Sequence, residues 1–326
     1  MIVTLTPNPS LDRTVELAEP LARGAVQRAV GDSQEPGGKG VNICRALQAT
    51  GAPCLAVLPG DADDPVMLAL VAQRIPHVGL PIGTPLRSNV ALTEPDGTTT
   101  KVNAPGPSLR ADQQAALVEL VLARVTGARW LVLAGSLPGG VPDDFYAGLV
   151  RELRARLGAA APRVAVDASG PPLAAAVAAH PDLLKPNAEE LAELTGVGDG
   201  PGLETDPSLA AAAARSLVDA GVGAVLATLG SQGAVLVTAE GSWLGRTPPM
   251  VPRSTVGAGD SALAGYLLAD LAGSSAPDRL RQAVAHGAAA ASLPGSTVPA
   301  LEQTRPDAVT VTAVATHPME DDQWVL

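Results

Sequence analysis

Short apolar runs of strand length recur along this chain, and helix-like stretches fill the gaps between them. The runs are residues 2–5, 54–58, 130–134, 164–166 and 222–226; the helix-like stretches are 41–50, 66–74, 111–125, 143–157 and 209–220. A strand that is apolar throughout must be covered on both faces. Alternation of such strands with helices therefore predicts a parallel sheet sandwiched between helical layers. Ligands of such sheets bind beyond the carboxyl ends of the strands. The polar and glycine-rich segments of this chain follow the runs, as that rule expects. With 46% hydrophobic residues but only 2% aromatic, and Phe145 as the single phenylalanine, the core must be built from Ala, Val and Leu. Small side chains suit helices lying close on a sheet.

Two stretches break the alternation. Residues 11–35 and 86–103 hold short runs punctuated by turn residues, including Asp96-Gly97 just before residues 98–102. They predict antiparallel strands inserted into the body. So few strands cannot fold alone, but they can form a lid over a site, and a lid with one apolar face can pair with a second copy. The reading is a single α/β domain over residues 1–326, with a tail from about 313 that is expected to be loosely held.

The net charge of −11 supplies no basic face for nucleic acid. An acidic protein that binds anions must concentrate positive charge locally. The chain has only three lysines, Lys39, Lys101 and Lys185, against 19 arginines, so each lysine is a candidate site residue. Cys44 and Cys54 have no metal spacing and form no disulfide framework, and buried free thiols are expected. No run reaches the ~18 apolar residues of a membrane span, and no signal-peptide pattern is visible. A cytoplasmic protein is expected.

The segment Ser254-Thr255-Val256-Gly257-Ala258-Gly259-Asp260-Ser261 precedes a helical pattern. Glycines let backbone approach a ligand, and the first amides of a helix attract anions. An aspartate placed there can take a proton from a hydroxyl while the amides stabilise phosphate oxygens. Two plainer readings compete. Asp260 could simply cap the helix, or Gly257-x-Gly259-x-x-Ala262 could be a dinucleotide loop, although that loop belongs after the first strand of its unit. Further along the chain, Gly37-Gly38-Lys39-Gly40 opens another helix without being a P-loop. Asn187 and Glu190 form a capping pair that could also hold metal-bound water. Thr228-Leu229-Gly230-Ser231-Gln232-Gly233 follows a strand, either as a plain turn or as backbone for a nucleotide.

These pieces, taken in order, resemble the PfkB family of ribokinase-like carbohydrate kinases. The matching segments are Thr6-Pro7-Asn8-Pro9-Ser10-Leu11-Asp12-Arg13, Pro36 to Asn42, Gly135-Ser136-Leu137-Pro138, Asp167-Ala168-Ser169-Gly170, Lys185-Pro186-Asn187-x-x-Glu190, Thr228 to Gly233 and Ser254 to Ser261. The resemblance covers residues 1 to about 312. Asn8 to Asp12 and Thr100-Lys101-Val102-Asn103 are most similar to the branch of 1-phosphofructokinases and tagatose-6-phosphate kinases. It implies a ribokinase-like, doubly wound, mostly parallel α/β sheet with a small β-sheet lid that pairs into a homodimer.

The resemblance also implies roles. Asp260 matches the catalytic base, and Gly257, Ala258 and Gly259 the anion hole. Asp12, Gly38, Lys39 and Asn42 match sugar-binding positions. Arg87, Lys101 and Ser136 match positions that reach the substrate's phosphate or hydroxyls, and Lys39, Arg87 and Lys101 would form the cationic clamp. Lys185, Thr228, Gly230 and Gly233 match the nucleotide side; Asn187 and Glu190 match the magnesium motif, acting through water. ATP and Mg2+ are the expected cofactors, with a monovalent cation left open. The implied reaction converts fructose 1-phosphate to fructose 1,6-bisphosphate, with tagatose 6-phosphate or fructose 6-phosphate as alternative acceptors. A non-catalytic sugar-phosphate sensor and a nicotinamide oxidoreductase are the rival classes. Ala104 and Gly139 depart from the family pattern, where Glu and Pro are usual, and both lie on the sugar side.

Overall fold

The computed structural model describes residues 1–314. Along the chain run β1 (Ile2–Leu5), β2 (Ser10–Leu17), β3 (Ala29–Gly37), α1 (Lys39–Ala49), β4 (Cys54–Pro59), α2 (Pro65–Ala72), β5 (His77–Leu80), β6 (Arg87–Thr93), β7 (Thr99–Val102), α3 (Ala111–Arg124), β8 (Trp130–Ala134), α4 (Phe145–Leu157), β9 (Arg163–Asp167), α5 (Pro171–Val177), β10 (Leu183–Leu184), α6 (Ala188–Thr195), α7 (Gly200–Thr205), α8 (Pro207–Asp219), β11 (Ala224–Thr228), β12 (Ala234–Thr238), β13 (Gly241–Arg246), α9 (Ala258–Leu271), α10 (Ala276–Ala291) and β14 (Thr310–Ala313).

Ten strands form one sheet in the order β14-β13-β12-β11-β10-β9-β8-β1-β4-β5. From β11 to β5 every pairing is parallel, and β12, β13 and β14 extend one side antiparallel. Successive side chains of a strand point to opposite faces, and both faces are used. Leu131, Leu133, Val164 and Val166 pack with Leu117 of α3, Leu149 of α4, Leu173 of α5 and Ala210 of α8. Trp130, Val132, Ala134 and Ala165 pack with Ile43 of α1, Leu70 of α2, Leu263 of α9 and Leu280 of α10. The strand order reverses at β1, which sends its crossovers to β4 on one side and leaves β8 on the other. This switch opens a crevice at the carboxyl ends, where the motif segments emerge.

The helices of the second face lie close because small residues separate them. A Cβ on Gly265 of α9 would sit 2.5 Å from the Gln282 carbonyl oxygen and 2.8 Å from the His286 ring of α10. Cys44 and Cys54 are buried and unbridged, with their sulfurs 2.7 Å apart.

The other four strands form a separate small sheet, ordered β3-β2-β6-β7. Its two outer pairings are antiparallel, and Gly97, at φ 90°, turns the β6–β7 hairpin. Its central pairing, β2 with β6, is parallel, which corrects the all-antiparallel expectation. The connection between them runs through β3, α1, β4, α2 and β5, so the chain returns in the same direction. Only a tight hairpin forces reversal.

Two boundaries also shift. The run at 222–226 becomes β11 only from Ala224. At the other end, Ala313 closes β14 and the Val314 N–H donates to the Ser242 carbonyl at 2.9 Å, so the ordered chain passes the expected start of the tail. Residues 315–326 lie outside the described residues. Among the described residues no helix is long and apolar enough to cross a membrane.

Candidate active site

Helix α9 begins where Gly257 turns the chain through a left-handed conformation, φ 74°, which favours glycine. Ala258, Gly259 and Asp260 are its first three residues, so the helix leaves their amides without a partner of its own, and the Ala258 N–H makes a long contact, 3.4 Å, to the Thr255 carbonyl. Asp260 is buried, but it does not cap the helix, because the N-terminus has no side-chain capping bond. Its Oδ2 instead accepts from Asn42 Nδ2 of α1 at 2.9 Å. The plain capping reading therefore fails for this aspartate. Burial and the nearby Asp167 push the Asp260 carboxyl up to about 6, while the Asn42 amide, Lys39 and Lys185 pull the other way.

Asp167, fully buried at the end of β9, is the hub beneath it. Its Oδ1 accepts from Lys39 Nζ at 2.7 Å, and its Oδ2 lies 3.1 Å from Lys185 Nζ. Burial alone would raise Asp167, but Lys185 and Lys39 outweigh it and hold the carboxyl below its ordinary value. Burial would lower Lys39, but Asp167, Glu190 at 3.8 Å and Asp260 outweigh it and hold the ammonium above its ordinary value. Two lysine side chains thus stand at the mouth of α9. Lys185 is among them: a Cβ on Gly259 would sit 3.3 Å from its Nζ. The structure places it beside the candidate anion hole, one residue before Pro186, whose carbonyl accepts from the Thr228 N–H.

On the other side of the crevice, Gly38 caps α1 at φ 107°. A Cβ there would meet the Thr6 methyl at 2.7 Å, so only glycine fits. Asp12 on β2 accepts from Ser10 Oγ at 2.7 Å and from Asn89 Nδ2 at 2.9 Å, which fixes its carboxylate. Arg87 donates through Nη1 to the Ala104 carbonyl and through Nη2 to the Asn8 carbonyl, both at 2.9 Å; its buried Nε has no partner. The guanidinium pins two loops, and its Nε–H is left without a partner. Asn8 Nδ2 reaches the Pro105 carbonyl at 3.1 Å and Ser136 Oγ at 3.2 Å. A side chain on Gly139 would sit 2.6 Å from Ser108 Oγ, a contact that rotation of the serine would relieve. Lys101 stands exposed on β7 with no ion pair among the described residues. It lines a cleft of about 970 Å³ between the small sheet and the segment before α9, together with Asp12, Asn89, Asn103, Arg253 and Ser254.

The third group follows β10 and β11. Thr228 ends β11 and bridges to Asn187; Gly230 (φ 52°) and Gly233 (φ 95°) then shape a tight turn. Gly233 backs onto the Gly245 carbonyl, where no side chain fits. Asn187 and Glu190 do form the reciprocal cap of α6. Glu190 N donates to Asn187 Oδ1 at 2.7 Å, and Asn187 N donates to Glu190 Oε2 at 2.9 Å. Glu190 Oε1 accepts from Ser169 Oγ at 2.6 Å. Each of these oxygens keeps a lone pair but is already committed to one donor. Among the described residues no three His, Cys, Asp or Glu converge as a metal cage. This donor set fits a hydrated magnesium held through water, not a directly ligated one.

Thus Asp260, Asn42, Lys39, Lys185 and Glu190 come together around the start of α9. Asp12 and Lys101 line the cleft, and Thr228, Gly230 and Gly233 line the turn beyond. The sequence reading gave no role to Asp167 or Ser169, although an acidic residue ending an apolar strand was a usable signal for the first.

A family model described as pfkB family carbohydrate kinase matches residues 6–303. A 1-phosphofructokinase of Rhodobacter capsulatus is 35% identical, covering 98% of this chain and 99% of that protein. ATP-dependent 6-phosphofructokinase isozyme 2 of Escherichia coli is 33% identical over 89% of this chain and 92% of its own length. The crystal structure of phosphofructokinase-2 from E. coli in complex with substrates and products superposes with a TM-score of 0.84 at 31% identity, covering 93% of this chain and 96% of that one.

Proposed function

Because the chain belongs to the pfkB family of carbohydrate kinases, we propose that it transfers the γ-phosphoryl group of ATP to a free hydroxyl of a sugar phosphate, with fructose 1-phosphate as the acceptor and its C6 hydroxyl as the nucleophile. The observation that carries the reading is Asp260: a buried carboxylate, shifted to about 6, in the first turn of a glycine-rich helix start whose amides have no partner within the helix. Its free Oδ1 would take the proton as the hydroxyl oxygen attacks phosphorus in line, with ADP leaving. The amides of Ala258 and Gly259 face the charge that spreads over the transferring group, and Lys39 and Lys185 add to it.

Asp167 holds both lysine side chains in place. Magnesium, held through water by Asn187 and Glu190, would neutralise phosphate charge. Asp12, Gly38 and Asn42 hold the sugar; Lys101, Arg87 and Ser136 hold its existing phosphate. Thr228, Gly230 and Gly233 carry the nucleotide. The small sheet is the lid that excludes water from the cleft, and a homodimer through it and a cytoplasmic setting complete the reading. Similarity to 1-phosphofructokinase of R. capsulatus supports the acceptor. Similarity to the E. coli 6-phosphofructokinase keeps fructose 6-phosphate, with tagatose 6-phosphate, as the alternative.

A coupled assay of ADP release with MgATP, run against fructose 1-phosphate, fructose 6-phosphate, tagatose 6-phosphate and fructose, decides between these. Preference for a 6-phosphate would retain the mechanism and replace the acceptor. No ADP release with any of them would favour a sensor over an enzyme.

A further inference from the structure

Arg45 lies on α1 three residues past Asn42, 6% exposed. A buried guanidinium needs compensation, and Nη2 donates to Glu35 Oε2 of β3 at 2.6 Å. Gln73, just past α2, donates to the same oxygen at 2.5 Å and fixes it from the other side. Nη1 stands 3.5 Å from three oxygens at once: Pro36 O at the end of β3, Ser296 O in the segment after α10, and Asn42 Oδ1. Each contact is long, and the carbonyl end of the Asn42 amide is one of the three oxygens that share this end of the cation. The amine end of that amide donates to Asp260. An amide with a cation at its oxygen and a carboxylate at its nitrogen has one favourable orientation of two.

We infer that Arg45 is a positioning residue: it locks the Asn42 amide in the orientation that donates to Asp260, and it ties that lock to the small sheet through Glu35. The attachment is at a telling place, since Glu35 pairs across the small sheet with Asp12, and Ser296 lines the same cleft. Movement of the small sheet over a bound sugar would thereby reach the base through one guanidinium. The charged groups facing Asp260 are Asp167, Lys39 and Lys185; those facing Arg45 are Glu35 and Asp12. The hydrogen bond from Asn42 favours the charged form of Asp260. A variant that frees the amide should therefore raise the pH at which the base becomes active.

This inference rests on Asp260 as the base, so the test separates the two. pH profiles of kcat/KM are recorded for the wild type, Asn42→Ala, Arg45→Gln and the double variant, with melting curves for each. The acidic limb is expected to move up by roughly one pH unit in either single variant, and no further in the double variant. An Arg45→Gln limb that stays in place, or shifts that add in the double variant, overturns the inference. Should Arg45→Gln fail to fold, Arg45→Lys and Glu35→Gln replace it. Each should move the limb in the same direction by a smaller amount, and unmoved limbs in both overturn the inference equally. Asp260→Asn is the separate control: near-normal turnover there removes the base reading itself, whereas loss of turnover with an unmoved Arg45→Gln limb removes only the role of Arg45.

Discussion

Burial and Asp167 hold the Asp260 carboxyl at about 6 instead of an ordinary 3.8, so the protein makes its charge costly where the proposed chemistry needs it. Turnover should fall on the acid side with an apparent pKa near 6. Stability follows the same shift. A carboxyl raised in the folded state favours folding below its unfolded value, and that contribution is lost as pH climbs through the folded value. The loss develops between 3.8 and about 6 and is complete above. Asp260→Asn should therefore melt above the wild type near pH 8 but not near pH 4, by on the order of 3 kcal/mol at most. Its kcat should drop by about 10²–10⁴. Calorimetry at both pH values beside the activity assay checks this; a variant that is no more stable yet fully active contradicts both halves. Lys101 bears on a different step. Losing one charge-assisted contact is worth roughly 10- to 100-fold, so Lys101→Ala should raise KM for the sugar phosphate by that factor and leave KM for ATP nearly unchanged. Equal effects on both would take it out of the clamp. Scarcity marked all three lysines in the sequence, and the structure puts two of them on one carboxylate. That carboxylate was quoted in a matching segment but given no role, because Lys39, Asp167 and Lys185 are brought together only by the folding of α1, β9 and β10.

Helix α9 carries Asp260 at one end and Gly265 within its second turn, where α10 crosses it without room for a methyl group. Gly265→Ala would push the helices apart or force His286 from its place. The expected cost is about 1–3 kcal/mol, with a fall in kcat that exceeds any change in KM, because the start of α9 moves relative to Asn42. Denaturant midpoints and steady-state kinetics measure the two effects; loss of stability with unchanged kcat would show that α9 yields away from the site. Elements of this kind were legible where both faces are buried. The runs at 2–5 and 130–134 coincide with β1 and β8, whose residues are all covered. Strand β5, His77–Leu80, is half-buried throughout and includes a glycine, so its sequence carried no strand signal. The parallel pairing of β2 with β6 was invisible for a different reason. Residues Ser10 and Arg87 pair across a connection that only the completed body can close.

On the scale of the molecule, the small sheet covers a cleft with one side and leaves its outer strands open. Val30 on β3 is 67% exposed and Val102 on β7 is 60% exposed, while neither edge is paired among the described residues. Proteins normally blunt such edges with charge or cover them; on β3 the partly exposed Asp32 and Glu35 are bonded to Arg13 and Arg45. Covering by a second copy resolves this without altering the body. It would also restrain the small sheet over the sugar, whose phosphate has only Lys101 as an unengaged lysine. The expectation is that the wild type sediments as two chains at assay concentrations. The double variant Val30→Asp, Val102→Asp should shift toward one chain, with KM for the sugar phosphate rising more than KM for ATP. Sedimentation velocity alongside kinetics reads both quantities on the same samples. A wild type that sediments as one chain with full activity would mean the small sheet closes the cleft unaided, and its exposed valines would then need another occupant.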